Sequence, residues 1–220
     1  MPISYPHKCI LIHVPKCGGT SIESLIGVHG NRTHVGITKQ NNHINKKEAD
    51  RVLWGGSRQH WNALKVKKHV GDKIFNTFYK IGIVRNPYAR VVSFFAHGGS
   101  EKYHGKIKWV HKEALGIEEF RKKIKNFTKL KHHRLKLASN MLCINGTLAV
   151  DKILRQETLN EDWDSIKEII GIKESLPRRM KSVHNFFGNY YTPEIAEVVY
   201  KRFERDFKMF DYDKESWKIK

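Results

Sequence analysis

Cysteine is scarce in this sequence. Its three cysteines, Cys9, Cys17 and Cys143, are an odd number and show no paired spacing. The pattern therefore indicates neither a disulfide framework nor a CxxC metal site, and reduced thiols are the simpler assumption.

Long apolar segments are also absent from the amino terminus. Pro6, His7, Lys8 and His13 interrupt residues 1–16, so these residues do not resemble a signal peptide or a membrane anchor. We find no internal repeat and no low-complexity linker. These absences predict a cytoplasmic protein without a membrane span.

Acidic residues are few, since 22 Asp and Glu stand against 41 Lys and Arg, for a formal net charge of +19. Such a charge favours polyanionic partners: nucleic acid, an anionic membrane surface, a sulfated glycan or a phosphate-rich cosubstrate. The alternative is that the charge serves solubility alone. Basic stretches begin at Lys65, Arg121 and Lys129, and they either line a groove that binds an anionic glycan or form solvated helix faces. Because they contain few aromatic residues, a stacking platform for single-stranded nucleic acid is poorly supported.

The chain is long enough for one complete domain with a buried core. Its 220 residues are 40% hydrophobic and 11% aromatic, as in ordinary globular proteins. We therefore expect a single domain over residues 1–220.

A strand followed by a helix is predicted three times. The predicted strands are residues 9–14, 78–84 and 148–154, and the helices after them are residues 21–26, 88–97 and 159–170. Asn86 and Pro87 suit the start of the second helix, and Thr158 with Glu161 has the spacing of a capping box for the third. The repeated order predicts an α/β fold in which a central parallel sheet lies between two helical layers.

Further features surround these units. A last helix opens at Thr192 and Pro193 and carries an apolar stripe, which we interpret as packing only. Gly27 and Gly171 are predicted helix stops. Two polar segments, residues 29–57 and 98–112, are predicted to be functional loops.

The turn after the first strand has the composition of an anion site. Residues 15–21 read PKCGGTS, where a strand ends and a helix begins. Backbone N–H groups converge at such a junction, and the positive end of the helix dipole favours a phosphate. Gly18 and Gly19 would let the backbone approach it closely, Thr20 and Ser21 add hydroxyl donors, and Lys16 adds a positive charge.

This turn is not a Walker P-loop, because its lysine precedes the glycines. An ordinary ATPase or kinase is thereby disfavoured. A glycine pair after a strand also has a plainly structural interpretation, as a turn.

A second junction of the same kind carries Arg85, Asn86 and Pro87, with Arg90 and Ser93 following. Two anion sites on neighbouring strand ends would suit a nucleotide with phosphates at both ends of its ribose. The structural alternatives are that Arg90 forms a surface ion pair and that Ser93 lies on the solvent side of its helix.

Together the two motifs, HVPKCGGTSI and IVRNPYARVVSFF, resemble the 5′-phosphosulfate loop and the 3′-phosphate motif of sulfotransferases that use 3′-phosphoadenosine-5′-phosphosulfate (PAPS). The likeness is strongest to the carbohydrate branch. It extends more weakly through QHWNALKVKKHVG, VDKILRQETLNEDWDSI and the carboxyl-terminal YYTPEIAEVVYKRFERDFKMFDYD, and leaves residues 29–56 uncovered. It implies a P-loop-like fold, transfer of a sulfuryl group to a hydroxyl acceptor such as a glycan, and release of 3′-phosphoadenosine 5′-phosphate (PAP).

The resemblance also implies residue roles. Lys16 would contact the 5′-phosphosulfate and offset charge on the leaving oxygen, and the rest of that loop would hold the phosphate. Arg85 and Ser93 would bind the 3′-phosphate, and a late basic loop with Lys181 and Ser182 would close over the nucleotide. The residues expected to bind the donor are therefore Lys16, Cys17, Gly18, Gly19, Thr20, Ser21, Arg85, Ser93, Lys181 and Ser182. The alternative for the late loop is that its basic residues are simply solvated at the surface. The reaction implied by the resemblance requires no metal.

The acceptor hydroxyl must lose a proton, and histidine is the side chain best suited to accept it at neutral pH. We choose His60, because HWNAL resembles the segment that carries the catalytic histidine in the carbohydrate branch. An exposed or packing role is the alternative, with His34, His43 and His69 as substitutes.

Arg155 and Glu157 follow the third predicted strand and are expected at the same sheet edge. They either support the site or form a structural ion pair.

Two other functions stay open. One is a basic binding protein for anionic glycan or nucleic acid that keeps the fold without catalysis. The other is a nucleotide kinase, which would use ATP with a metal.

Overall fold

The computed structural model describes residues 3–26, 59–96, 101–103, 106–108, 116–124, 127, 132–177 and 185–219. In chain order its elements are β1 (Ile3–Ser4), β2 (Cys9–Ile12), α1 (Gly19–Leu25), α2 (Ala63–Thr77), β3 (Tyr79–Val84), α3 (Pro87–Ala96), β4 (Glu101–Tyr103), β5 (Lys106–Lys108), α4 (Ile117–Ile124), α5 (Ala138–Leu142), β6 (Cys143–Ile144), β7 (Thr147–Leu148), β8 (Lys152–Arg155), α6 (Leu159–Asp164) and α7 (Pro193–Met209). Short 3-10 helices lie at His133–Leu135 and Phe187–Tyr190.

The chain forms two compact units. The first contains Met1–Val84 and Ala138–Arg179, and the second contains Arg85–Leu137 and Met180–Lys220. The predicted loop of residues 29–57 and the predicted stop at Gly27 lie outside the described residues, whereas β4 and β5 pair antiparallel within the second predicted loop.

The first unit is built on a four-stranded sheet with the order β1-β2-β3-β8. β2 pairs with β3, and β3 pairs with β8, both in parallel, whereas β1 pairs antiparallel with β2. The predicted α/β fold with a central sheet is thus confirmed in a mostly parallel form. The antiparallel strand β1 was not predicted.

The central strands are buried because their residues are almost all apolar. Every residue of β2 is buried, and in β3 all but Tyr79 are. Helix α2 begins after Asn62, whose side chain accepts the N–H of Lys65 at 3.0 Å. The three cysteines, all of them described, are buried and form no disulfide.

The third predicted unit differs from the prediction at its start. Its strand is only Lys152–Arg155, because Leu148 belongs to the antiparallel pair β6–β7. Asn145 and Gly146, both with positive φ, form the turn between β6 and β7. An Asn-Gly pair is favoured in such two-residue hairpins.

The helix after β8 also differs. It ends at Asp164, and residues 165–171 continue as turns up to Gly171 at φ 68°, where a stop was predicted. The predicted capping box is wrong, because the Thr158 hydroxyl donates to the Asp162 carboxylate at 3.2 Å instead of capping the helix.

The second unit has an aromatic core formed by α3, α4 and α7. The predicted start of α3 is confirmed, since Asn86 Oδ1 accepts the N–H of Tyr88 at 2.9 Å. The predicted last helix is α7, with the Thr192 hydroxyl accepting the N–H of Ile195 at 3.5 Å. Its stripe packs as predicted, because Val199, Phe203 and Phe207 are buried in this core.

Among the residues described here, no helix combines the length and the apolar character needed to cross a bilayer.

Gly82, in the middle of β3, tests the packing of the first unit. A β-carbon there would lie 2.7 Å from Cδ2 of Leu142 and 3.0 Å from Cδ1 of Ile153. We expect Gly82→Ala to lower the free energy of unfolding by about 1–3 kcal/mol, because overpacking displaces buried side chains. Chemical denaturation measures the change.

Gly116→Ala is the control, since a β-carbon there meets only Cβ of Glu119, at 3.7 Å. Its cost should stay below about 1 kcal/mol. Equal losses in the two variants would contradict the packing described for β3.

Candidate active site

The turn between β2 and α1 reverses the chain through two residues with left-handed backbone. Lys16 has φ 68° and Gly18 has φ 86°. Lys16 is half-buried and Gly18 is exposed, whereas Cys17 between them is buried, and its thiol donates to the carbonyl of Pro15 at 3.7 Å. The side chain of Cys17 therefore points into the protein, and its backbone forms part of the turn.

Helix α1 begins at Gly19, two residues earlier than predicted, with Gly18 as its N-cap. A glycine has no side-chain oxygen with which to cap the first-turn N–H groups. The N–H groups of the first turn have no acceptor inside their own helix, apart from a bond of Ser21 N–H to the Gly18 carbonyl at 3.2 Å. An anion site at this turn stays a prediction, which such first-turn N–H groups would suit.

The two glycines of the turn face different neighbours. A β-carbon on Gly18 would lie 3.3 Å from Cδ2 of Leu159 and 3.5 Å from Cγ of Gln156. A β-carbon on Gly19 would lie 2.9 Å from Nε2 of His13. Gly18 thus permits the left-handed conformation, and Gly19 makes room for a buried imidazole.

His13 and Glu23 form a buried pair behind the turn. His13 follows β2 and Glu23 lies on α1, and they are 4% and 2% exposed. His13 Nδ1 lies 2.5 Å from Oε1 of Glu23. A carboxylate only accepts, so the imidazole Nδ1 carries the hydrogen.

Residues 59 and 60 attach to this pair. The Gln59 amide nitrogen donates to both oxygens of Glu23, at 3.1 Å and 2.9 Å. His60 Nδ1 lies 3.3 Å from the backbone carbonyl oxygen of His13. The two imidazole rings meet edge to face, with centroids 4.8 Å apart. The predicted base His60 is thereby bonded to the backbone three residues before Lys16.

These contacts set the ionisation of Glu23. Burial acts to raise its pKa, but the charge of His13 and the hydrogen bonds from His13 and Gln59 act in the opposite direction and prevail. The pKa of Glu23 therefore lies below its ordinary value. The carboxylate is charged at neutral pH.

Of the substitutes for His60, only His69 belongs to the described residues. His69 is exposed on α2, where its ring contacts Trp61 with centroids 5.4 Å apart. His34 and His43 lie outside the described residues.

The predicted 3′-phosphate residues belong to the second unit. Arg85 directly follows β3 in the chain and is half-buried, and Ser93 is 4% exposed on α3. The solvent-facing alternative for Ser93 is therefore wrong. Lys181 and Ser182 lie outside the described residues.

Arg90 forms an ion pair, but a buried one. Its guanidinium lies 3.7 Å from the Asp206 carboxylate and donates to the carbonyls of Arg134, at 3.2 Å, and Lys136, at 2.8 Å. It is 1% exposed. The surface alternative for Arg90 is therefore wrong, and its contacts hold the second unit together.

The segment after β8 lies beside Gly18, through Gln156 and Leu159. Asp162 fixes this segment, because its carboxylate accepts the Arg155 N–H at 2.6 Å. Arg155 is half-buried and Glu157 is exposed. Their role at the site stays a prediction.

The buried contacts of Glu23 with His13 and Gln59 were not predicted from the sequence. The available signals were a single histidine in the apolar run CILIHV and a carboxylate between the apolar positions Ile22 and Ile26 of the next helix. A polar residue in a buried position requires a partner, and each of these two residues is the partner of the other.

A mostly parallel sheet, with a strand that leads through a glycine turn into a helix, defines an α/β protein. The model of the sulfotransferase family matches residues 2–213. The chain therefore belongs to the sulfotransferase family, and it is a transferase. No curated protein and no solved structure matches it. The resemblance seen in the two motifs is confirmed at the level of the family.

The lowered pKa of Glu23 makes a prediction about stability. The ionised carboxylate stabilises the folded state above the ordinary pKa, and this contribution is lost as the pH falls through the lower pKa of the folded state. Glu23→Gln should cost about 1–3 kcal/mol of unfolding free energy at pH 7. We expect the difference from wild type to shrink as the pH falls through that window, measured by denaturation at a series of pH values.

Glu168→Gln is the matched control, since Glu168 is exposed in the same unit. It should change stability little at any pH. A Glu23→Gln difference that stays constant down to strongly acidic pH would contradict the ionised pair.

Proposed function

We propose that this protein transfers a sulfuryl group from PAPS to a hydroxyl of a carbohydrate acceptor and releases PAP. The observation that carries the proposal is the glycine turn at residues 15–21, which leads from β2 through Lys16 into the start of α1, while His60 is bonded to the carbonyl of His13 just before the turn. The family match, which includes residues of both units, supports a single three-layer, P-loop-like domain over residues 1–220.

The residues of the turn suit a phosphosulfate. Gly18 is exposed, and its neighbour Gly19 begins the helix, so the first-turn N–H groups face the position of an anion. Lys16, Cys17, Thr20 and Ser21 complete this half of the proposed donor site. Its other half is proposed from the resemblance alone: Arg85 and Ser93 at the 3′-phosphate, with Lys181 and Ser182 in the closing loop.

The donor supplies a sulfuryl group activated by its anhydride bond to a phosphate. In the proposed reaction His60 takes the proton of the acceptor hydroxyl as the new sulfur–oxygen bond forms and the bridging bond breaks. Lys16 offsets the negative charge that develops on the bridging oxygen, which keeps the electron pair and leaves with PAP. By analogy with phosphoryl transfer, such a step depends mainly on positioning and charge stabilisation.

A glycan acceptor is supported by the charge of the chain. The net charge of +19 attracts anionic polymers, and Lys65 and Lys68 present exposed cations on α2. A partly sulfated or carboxylated glycan would be bound by such cations.

Binding of PAP and turnover of PAPS test the proposal directly. Calorimetry should detect PAP binding, and labelled PAPS should transfer its label to at least one member of a panel of glycans, lipids and small alcohols. Absence of PAP binding would count decisively against the proposed donor. Tight binding of ATP in competition with PAPS would favour a nucleotide kinase instead.

Lys16→Met removes the charge and keeps most of the side chain. We expect kcat to fall about 10²- to 10³-fold, because a charge aimed at the leaving oxygen acts mainly in the transition state. Steady-state kinetics with labelled PAPS measure the change.

Lys8→Met is the matched control. Lys8 is also a left-handed lysine in the first unit, with φ 43°, and it is exposed in the turn before β2. Its replacement should leave kcat unchanged. Equal losses in the two variants would show that general charge, rather than the position of Lys16, supports turnover.

A further inference from the structure

The cluster of Glu23, His13, Gln59 and His60 contains a buried carboxylate in addition to the proposed base His60. Glu23 does not act on the acceptor in the proposed reaction, yet it is buried and accepts hydrogen bonds from His13 and Gln59. A buried carboxylate is costly to desolvate, so its retention at this place calls for a structural or functional reason. Any role of Glu23 in catalysis depends on the proposed function and on His60 as its base.

The bond of His60 to the backbone determines which of its ring nitrogens carries the hydrogen. A carbonyl oxygen only accepts, so Nδ1 of His60 must donate to the His13 carbonyl across their 3.3 Å. In the neutral ring the lone pair then lies on Nε2. This is the nitrogen that would accept a proton from a hydroxyl.

That bond requires residue 60 to stay at the carbonyl, and the neighbouring Gln59 anchors it there. The amide nitrogen of Gln59 bonds to both Glu23 oxygens, at 3.1 Å and 2.9 Å. Since a carboxylate offers no hydrogen, the amide is held with its nitrogen towards Glu23. Two successive residues are thus attached to the same pair.

Glu23 is itself fixed by the other member of that pair. Its Oε1 lies 2.5 Å from Nδ1 of His13, and the ring of His13 packs edge to face against the ring of His60. Glu23 is therefore linked to His60 in two ways. It bonds to Gln59, the residue before His60, and it bonds to His13, whose ring packs against that of His60.

We propose that Glu23 is a positioning residue, which holds His60 in the tautomer with hydrogen on Nδ1 through its bonds to Gln59 and His13. The neutral state of His60 then presents Nε2 as the proton acceptor. Removal of the carboxylate releases residues 59 and 60 without removing any group that would touch the donor or the acceptor.

Nitrogen-15 chemical shifts of the imidazoles test the tautomer without any need for turnover. In wild type, the neutral ring of His60 should show a protonated Nδ1 and an unprotonated Nε2. In Glu23→Gln one of the two acceptor oxygens becomes an NH₂ donor, so residue 23 can no longer accept from the Gln59 amide nitrogen at both positions, and His60 should populate both tautomers. A wild-type His60 protonated on Nε2, or shifts unchanged in the variant, would overturn the proposal.

Kinetics with labelled PAPS give the second measurement. Glu23→Gln should lower kcat by about 10- to 100-fold, because a misplaced base loses productive geometry. The KM for PAPS and the affinity for PAP should change less than about 2-fold, since Lys16 and the turn are retained. A parallel loss of PAP affinity and kcat would instead show that Glu23 only supports the fold of the turn.

The double variant Glu23→Gln with Gln59→Glu distinguishes loss of the hydrogen bonds between residues 23 and 59 from general destabilisation by the substitution. It exchanges the carboxylate and the amide, so the two side chains can bond again while residue 23 still accepts from His13. We expect it to restore the Nδ1 tautomer and most of kcat. Failure of the double variant to restore either one would contradict the proposed route through Gln59.

The outcomes for the two proposals can be told apart. A wild-type protein that neither binds PAP nor turns over PAPS would remove the proposed function, while the imidazole shifts would still decide the tautomer. A wild type that turns over PAPS beside an unimpaired Glu23→Gln would remove only the role of Glu23. If Glu23→Gln does not fold, Gln59→Met removes the same anchor, and the same shifts and the same fall in kcat are expected of it.

Discussion

The buried carboxylate of Glu23 is the group on which the geometry of the candidate site depends. An ionised carboxylate away from water is stable only when donors surround it. The donors here are His13, at the end of β2, and Gln59, just before α2, while Glu23 itself lies on α1. One carboxylate therefore ties three segments of the first unit together, and the turn between residues 13 and 19 has both of its ends held.

Hydrophobic periodicity and helix-start residues were sufficient to predict the elements whose local sequence favours a single structure. The apolar runs at residues 9–14 and 78–84 correctly indicated β2 and β3, and Asn86 with Pro87 correctly indicated the start of α3. Local signals failed where a nearby group competed. The Asp162 carboxylate accepts hydrogen bonds from the Thr158 hydroxyl and the Arg155 N–H, so the capping box does not form. Asn145 and Gly146 turn the chain before β8, which places Leu148 in a hairpin.

The candidate site was predictable only in part, for a related reason. The turn at Lys16 to Gly19 is contiguous, so its composition alone indicated an anion site. The partners of Glu23 lie 10 and 36 residues away in the chain, and no local pattern joins them. His60 was found through resemblance, whereas the contact that orients it is made by a backbone carbonyl, which leaves no trace in residue identity.

The adjacent glycines of the turn show how the two halves of the first unit's site constrain each other. From sequence, both were expected to allow a phosphate to approach. The structure separates them: Gly18 has the left-handed φ of 86°, whereas Gly19 lies against the His13 ring, where a β-carbon would come within 2.9 Å of Nε2. A side chain at position 19 would push His13 away from Glu23, and His13 carries the carbonyl that holds His60. Gly19, which begins helix α1, is thus also the residue that leaves room for His13 beside Glu23, so the proposed donor turn and the proposed base share one short stretch of backbone.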